Sequence, residues 1–305
     1  MLNKKEIGIT CGKRYRGRTM KNLTLLITMA LLGLVASGAI AQYQINWYSI
    51  NSGGGLVTGG GYKLNSTIGQ PAAGFVQNAS FLHWIGFWAG EVPNPTIVGA
   101  VSAAKLLQDG TFASISGKIA TTSETDFSGF FYIEEADRSS GIRVAVPAGP
   151  IAGLARGSTV NVIGTMGTTS AGERQLTGPI VIIVGSATPL LPLGMNNVTL
   201  GGGKLGVPPL GQYGVTGGFG VNNVGLLVQT WGRVVETGVG YVVIYDGSVD
   251  GSGTAIPVRV STTGLAVPPG MDEYVTVIGI SSLYMPGAER LRLVLPRGDL
   301  DIGRP

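Results

Sequence analysis

The residues best suited to ligand chemistry lie in one short stretch, residues 130–144, which reads FFYIEEADRSSGIRV. Tyr132, Arg138 and Arg143 bring an aromatic ring and two guanidinium groups together there. A planar guanidinium beside an aromatic ring can stack on a sugar or a base. We therefore predict a ligand-binding face formed by Tyr132, Arg138 and Arg143. The alternative is that the two arginines only neutralise the nearby Glu134, Glu135 and Asp137, since acids at a hairpin turn are usually solvated.

The sequence gives little support for catalysis. The chain has one histidine, His83, which alternates with the apolar residues Phe81 and Ile85 as expected of a packed strand residue. Its one cysteine, Cys11, lies close to the N-terminus, so the rest of the chain offers neither a Cys-His pair nor a disulfide. We predict that the protein is not an enzyme and uses no cofactor.

A metal site is also disfavoured. Asp246 and Asp250 lie in a glycine-containing turn, and oxygen-rich loops of this kind suit Ca²⁺. The turn lacks the dense acidic pattern of an EF-hand loop and its bidentate glutamate. We predict an ordinary turn and no metal site.

Residues 1–41 resemble a secretory signal, with Met20 as a possible true start. Lys21 is followed by the apolar run 23–35 and by the small residues 39–41, the order typical of a cleaved leader. Retention as a membrane anchor is the alternative, because the 19 mostly apolar residues 23–41 could just span a bilayer. No later stretch is long and apolar enough to do so. We predict a secreted, periplasmic or cell-surface protein with no membrane span after signal cleavage.

Removing this leader changes the charge of the chain. It holds seven of the 21 Lys and Arg residues and one of the 17 acids, so the remainder carries 14 basic against 16 acidic residues. A net charge of this sign and size gives no footprint for a polyanion. Nucleic acid is thus possible as a partner but disfavoured by charge.

A repeat underlies the rest of the chain. Four short motifs, at residues 117–118, 142–144, 160–164 and 173–174, recur at offsets of 115, 116, 115 and 116 residues. Each copy contains five runs of alternating apolar residues joined by glycine-containing turns, which predicts five short strands. The runs 131–144, 160–165 and 172–174 are similar to OB-like domains of exported bacterial proteins. That resemblance implies a small five-stranded Greek-key barrel for each copy.

The predicted fold is therefore all-β, with two tandem five-stranded OB-like barrels and a small aromatic, glycine-rich β module at the N-terminus. The module's GGGY, TIGQP and GFW motifs resemble uncharacterised exported proteins, which implies export. Its aromatic residues alternate along the strands, which favours a core role over ligand binding. The predicted domains are the signal (1–41), the module (42–92), a linker (93–97), barrel 1 (98–189), a Gly/Pro-rich linker (190–223) and barrel 2 (224–305).

We predict from these observations an exported, non-enzymatic binding or cell-surface structural protein, with carbohydrate or protein as its partner. Neutral barrels that carry aromatic residues can stack sugars or offer strand edges to a protein without positive charge. The alternative is a secreted single-stranded nucleic-acid-binding protein, accessory to a nuclease.

Overall fold

The computed structural model describes residues 53–59, 62–69, 74–77, 82–85, 94–146 and 149–304. The predicted signal segment lies outside these residues. Of the predicted N-terminal module, four strands are described: β1 (Gly53–Gly59) pairs with β2 (Tyr62–Ile68), and β3 (Gly74–Gln77) with β4 (Leu82–Ile85). Whether the module's aromatic side chains form a core lies outside what is described.

A closed barrel follows. It begins with strand β5 (Thr96–Val98) and the five-residue helix α1 (Val101–Lys105). Its five main strands are β6 (Phe112–Ala120), β7 (Phe130–Glu134), β8 (Gly141–Ala145), β9 (Ser158–Thr168) and β10 (Arg174–Ser186). They are hydrogen-bonded in the order β6-β7-β8-β10-β9, and β9 pairs again with β6, which closes the ring. All contacts are antiparallel except β8 with β10, where Arg143 lies opposite Gln175.

Alternation along these strands builds the core of the barrel. Side chains at every second position point inward, because successive residues of a strand face opposite sides of the sheet. Ile115, Phe131, Val144, Val162 and Leu176 form part of this core and are at most 1% exposed. The helix α1 adds Val101 and Ala104 to the same cluster.

A second, seven-stranded sheet, called here the C-terminal sheet, contains most of the remaining strands. They are β11 (Leu193–Gly194), β14 (Leu227–Gly238), β15 (Tyr241–Tyr245), β16 (Val258–Ser261), β17 (Tyr274–Tyr284), β18 (Leu291–Leu295) and β19 (Ile302–Gly303). The strand order is β11-β14-β15-β16-β18-β17-β19, with a further pairing of β14 with β17. Inward residues such as Val228, Ile244, Val260 and Val294 form its own core.

The glycine-rich segment 190–223 is folded rather than extended. It contains β11 and the hairpin of β12 (Leu205–Val207) with β13 (Leu210–Gln212). Its backbone segments touch directly: a Cβ placed on Gly202 would lie 2.1 Å from the carbonyl oxygen of Val221, and one on Gly214 would lie 2.3 Å from that of Gly202. Only glycine permits such an approach.

The all-β fold class is confirmed: the chain is nearly all-β and contains a closed five-stranded barrel. None of the described helices is long and apolar enough to cross a membrane.

Candidate functional site

The structure places the predicted binding face of the barrel against the C-terminal sheet. Tyr132 points outward from β7, yet it is 0% exposed because its ring packs with Leu227 and Ile280 of the C-terminal sheet. Phe127 and Phe130 pack against the same cluster, with their rings stacked at 5.0 Å. While the two sheets are in contact, Tyr132 has no surface on which a ligand could stack.

Below Tyr132 lies a buried polar cluster. The Tyr132 hydroxyl donates a hydrogen bond to Oε1 of Glu173 at 2.9 Å, and the Ser282 hydroxyl donates to Oε2 at 2.9 Å. Burial raises the pKa of the Glu173 carboxyl above its ordinary value and raises that of Tyr132 well above its own. Since Ser282 belongs to β17, Glu173 joins the barrel to the C-terminal sheet.

Lys105 makes a second buried link. Its side chain is 2% exposed and its Nζ donates to the carbonyl oxygen of Val224 at 2.7 Å. Burial lowers the pKa of this ammonium group to about 8, although Glu173 and Glu134 oppose the shift. The amine therefore loses its proton more readily than an exposed lysine, but it is still mostly protonated at pH 7.

Arg138 makes a third link. It lies in the turn after β7 with a positive φ of 65°. Its Nε donates to Glu134 at 2.8 Å and its Nη2 to the carbonyl oxygen of Leu227 at 2.7 Å, while Nη1 contacts the carbonyl oxygen of Leu191. The backbone N–H of Leu227 in turn donates to Glu134, whose pKa is raised by burial. Arg138 and Glu134 thus hold the start of β14 from both sides.

Arg143 is half-buried. Its guanidinium lies 3.6 Å from the centroid of the Phe130 ring, and among the described residues its buried Nε has no hydrogen-bond partner. The structure therefore places Tyr132, Arg138 and Arg143 at or beside a contact between two sheets. Ligand binding by these three residues stays a prediction.

The matching positions of the C-terminal sheet face outward, and within the described part of the chain no second sheet packs over them. Arg259 lies opposite Leu293 in a parallel pairing, as Arg143 lies opposite Gln175, and it is stacked 3.6 Å from the centroid of the Tyr241 ring. Beside it is a groove of about 350 Å³, called here the arginine groove, whose lining includes Arg259, Ser261, Tyr284, Met285, Pro286 and Leu293.

A second groove of about 350 Å³, called here the aromatic cleft, lies on the outer face of β14 and β17. It is lined by Trp231, Gly232, Tyr274, Val275, Thr276, Gly303 and Arg304. Trp231 is 51% exposed and Tyr274 is 65% exposed. Two large aromatic side chains that keep half of their surface in water on one sheet face are available for stacking.

Charges around the aromatic cleft are balanced. Arg304 donates to Glu273 at 3.3 Å and to the carbonyl oxygen of Val267 at 2.8 Å, and Arg233 lies 3.5 Å from Asp272. A ligand in this cleft meets both hydrogen-bond donors and acceptors around two aromatic rings. Such a mixture suits a neutral polar ligand better than a polyanion.

Trp231 and Tyr274 are not among the predicted site residues, although the alternation along their strands indicates that both point outward. The residues Val228, Thr230, Gly232 and Val234 alternate as inward positions of β14, which leaves Trp231 pointing outward. Tyr274 precedes the inward Val275 in the same way. The alternation indicates that Trp231, Tyr274 and Tyr132 all point outward. It cannot say which of them is covered by another part of the chain.

Among the described residues, no group of three or more His, Cys, Asp and Glu side chains is arranged to hold a metal ion. Asp246 accepts hydrogen bonds from the backbone N–H groups of Asn197 and Ser248. Asp250 accepts from those of Ser252 and Thr254. Both carboxylates are engaged in holding their own turns.

No protein-family model and no curated protein matches the chain. Among solved structures it is similar to a murine DNA-binding protein bound to double-stranded DNA, with a TM-score of 0.30 and 10% sequence identity over 60% of this chain and 92% of that chain. A similarity at this level carries no argument about function.

Proposed function

We propose that this protein is an exported, non-enzymatic, saccharide-binding protein that holds its ligand in the aromatic cleft. The observation that carries the proposal is the exposure of Trp231 and Tyr274 on one sheet face, at 51% and 65%. The apolar faces of sugar rings stack on such side chains, and the surrounding Arg, Glu and Thr groups supply hydrogen bonds for hydroxyl groups. The signal-like residues 1–41 support export.

The same proposal includes the finer fold: the barrel and the C-terminal sheet are two tandem OB-like barrels. The strand orders support it. Numbering the five main strands of each from one to five, both follow the order 1-2-3-5-4 with a return from 4 to 1, and strands 3 and 5 are parallel in both. In this arrangement the C-terminal barrel covers the outer face of the first barrel, and its own outer face supplies the exposed surface.

The test is calorimetric titration of the purified full chain with neutral oligosaccharides chosen from a glycan array. Because each ring contributes a stacking surface, Trp231→Ala and Tyr274→Ala should each weaken binding about tenfold or more. Phe219→Ala is the matched control, since Phe219 is also exposed, at 61%, but lies outside the cleft. Unchanged affinity in both cleft variants would refute the proposal.

Arginine beside exposed aromatic rings also keeps the second candidate, single-stranded nucleic acid, in the test. Arg233 and Arg304 flank the cleft, and bases stack on aromatic side chains irrespective of sequence. Fluorescently labelled oligonucleotides at low and physiological salt form the second arm. Binding that is lost with rising salt and with Trp231→Ala would favour nucleic acid over saccharide.

A further inference from the structure

The arginine groove lacks an acidic group that the barrel has at the matching position. Arg143 lies opposite Gln175, and Arg259 lies opposite Leu293, so two residues earlier on each strand Glu173 corresponds to Leu291. The pairing with the neighbouring strand gives the same match between the two residues. Leu291 pairs with Tyr284 in the C-terminal sheet, and Glu173 pairs with Thr169 in the barrel through hydrogen bonds in both directions.

In the barrel this acidic group lies near the arginine, since Gln175, two residues after Glu173, is the strand partner of Arg143. Burial raises the pKa of the Glu173 carboxyl, and the positive charge of Arg143 opposes this shift. The outward face of the barrel thus combines an arginine stacked on an aromatic ring with a carboxylate of its own chain.

In the C-terminal sheet the arginine has the ring but no acid. Arg259 lies 3.6 Å from the centroid of the Tyr241 ring and 4.7 Å from that of Tyr284. None of the ion pairs formed within the described residues includes Arg259. Glu236, which is close in sequence to Tyr241, is engaged by the Tyr241 hydroxyl at 2.7 Å.

Stacking leaves the hydrogen-bonding edge of this guanidinium available. The rings contact the flat face of the group, whereas its five N–H donors lie in its plane and match the two oxygens of a carboxylate. The groove beside it holds about 350 Å³, which is within the range of small-ligand sites. Tyr284, Pro286 and Leu293 give it apolar walls for a sugar ring, and Ser261 offers a hydroxyl.

We propose that the arginine groove binds an acidic saccharide, with the carboxylate of a uronic acid residue held by Arg259. The ligand takes the place that Glu173 occupies beside Arg143. The saccharide class rests on the proposed function, whereas the position of the carboxylate rests on Arg259 and its groove alone. The site lies apart from the aromatic cleft and provides the chain with charge-dependent recognition that the cleft does not have.

The experiment is calorimetric titration of the full chain with trigalacturonate and with the neutral galactose trimer of the same linkage. We expect binding of the acid that is at least about tenfold tighter than binding of the neutral trimer, because charge-assisted bonds to a guanidinium are the strong ones. Arg259→Met should remove this preference. Arg259→Lys, which keeps the charge without the planar fork, should recover only part of it.

Leu291→Glu tests the same idea without altering the arginine. Leu291 is half-exposed, so the change leaves the core untouched, and it places a carboxylate where the barrel has Glu173. We expect at least about a tenfold loss of trigalacturonate affinity with an unchanged melting temperature. Lys204→Met, which removes an exposed cation that lines neither groove, is the control and should leave affinity within about twofold.

Equal affinity for the acidic and neutral trimers would overturn the proposal, as would full trigalacturonate affinity in Arg259→Met. Tighter binding of a penta-glutamate peptide than of trigalacturonate would overturn it in favour of an acidic protein partner. Trp231→Ala separates the two proposals. This cleft variant should bind neutral glycans more weakly and keep its preference for the acidic trimer. Arg259→Met should lose that preference and keep its affinity for neutral glycans.

Discussion

The outer face of β7 and β8 in the barrel and the outer face of β15 and β16 in the C-terminal sheet begin from the same arrangement. Each carries an arginine stacked 3.6 Å from an aromatic ring two positions along the neighbouring strand, Arg143 on Phe130 and Arg259 on Tyr241. The barrel then places Tyr132 beside the pair, where the C-terminal sheet has Val243. Tyr132 is buried under the other sheet, and Val243 is half-exposed. The same surface chemistry thus serves contact within the chain on one face and is available to ligands on the other.

The largest expected effect comes from removing the ring at the centre of the covered face. Tyr132→Ala should lower the free energy of unfolding by about 3–5 kcal/mol, since it empties a buried aromatic site and leaves Oε1 of Glu173 without its donor. Val243→Ala at the matching position should cost less than about 1 kcal/mol. Urea denaturation of both variants measures the contrast, and equal losses would break the comparison.

Lys105 should give the covered contact an unusual pH dependence. Its folded pKa of about 8 lies below the ordinary value of 10.5, so the folded state holds fewer protons than the unfolded state between these values. Stability should therefore rise with pH across this window, on the order of 3 kcal/mol in total. The charged groups that act on this amine are Glu173, Glu134 and Arg174.

Urea denaturation between pH 7 and 10.5 would measure this dependence. The rise should vanish in Lys105→Met and persist in a Lys204→Met control. A wild-type stability that falls steadily over the same interval would show that the amine is not buried as described.

Arg138→Ala should have a smaller effect. It removes the partner of the fully buried Glu134 and the hydrogen bond to Leu227, but the arginine side chain itself is 14% exposed, so water can partly replace it. We expect a loss of about 2 kcal/mol, below that of a fully buried pair. Arg233→Ala, which breaks the exposed pair with Asp272, should cost less than about 1 kcal/mol. Thermal melts of the two variants side by side would sharpen the comparison, and equal shifts would contradict it.

Alternation predicted the strands well because it reports which side of a strand meets the nearest core. Phe131 and Ile133 follow this alternation and lie in the core of the barrel. The pattern could not say that Tyr132 is buried on the other side, since Leu227 and Ile280, which cover it, lie far away along the chain.

Long-range polar contacts were equally invisible in the sequence. The predicted correspondence of Glu173 with Glu289 is two residues out of register with the strand pairings, which match Glu173 to Leu291. The Glu-Arg dipeptides at 173–174 and 289–290 look alike in the sequence. They hide a difference between the two faces, an acid in the barrel where the C-terminal sheet has leucine. Segment 190–223, predicted as a linker, holds two buried amides with distant partners. The Gln212 amide donates to the carbonyl oxygen of Gly172, and the Asn223 amide oxygen accepts from the Ser281 hydroxyl.

The glycine contacts in segment 190–223 bear on how this protein can change over time. A stretch in which Gly202 and Gly214 touch other backbone atoms directly has no room for even one methyl group at those positions. Random mutagenesis followed by selection for folded protein should therefore find these glycines as intolerant as a buried leucine, although composition suggests a spacer. Homologues whose surface residues vary should therefore keep glycine at positions 202 and 214.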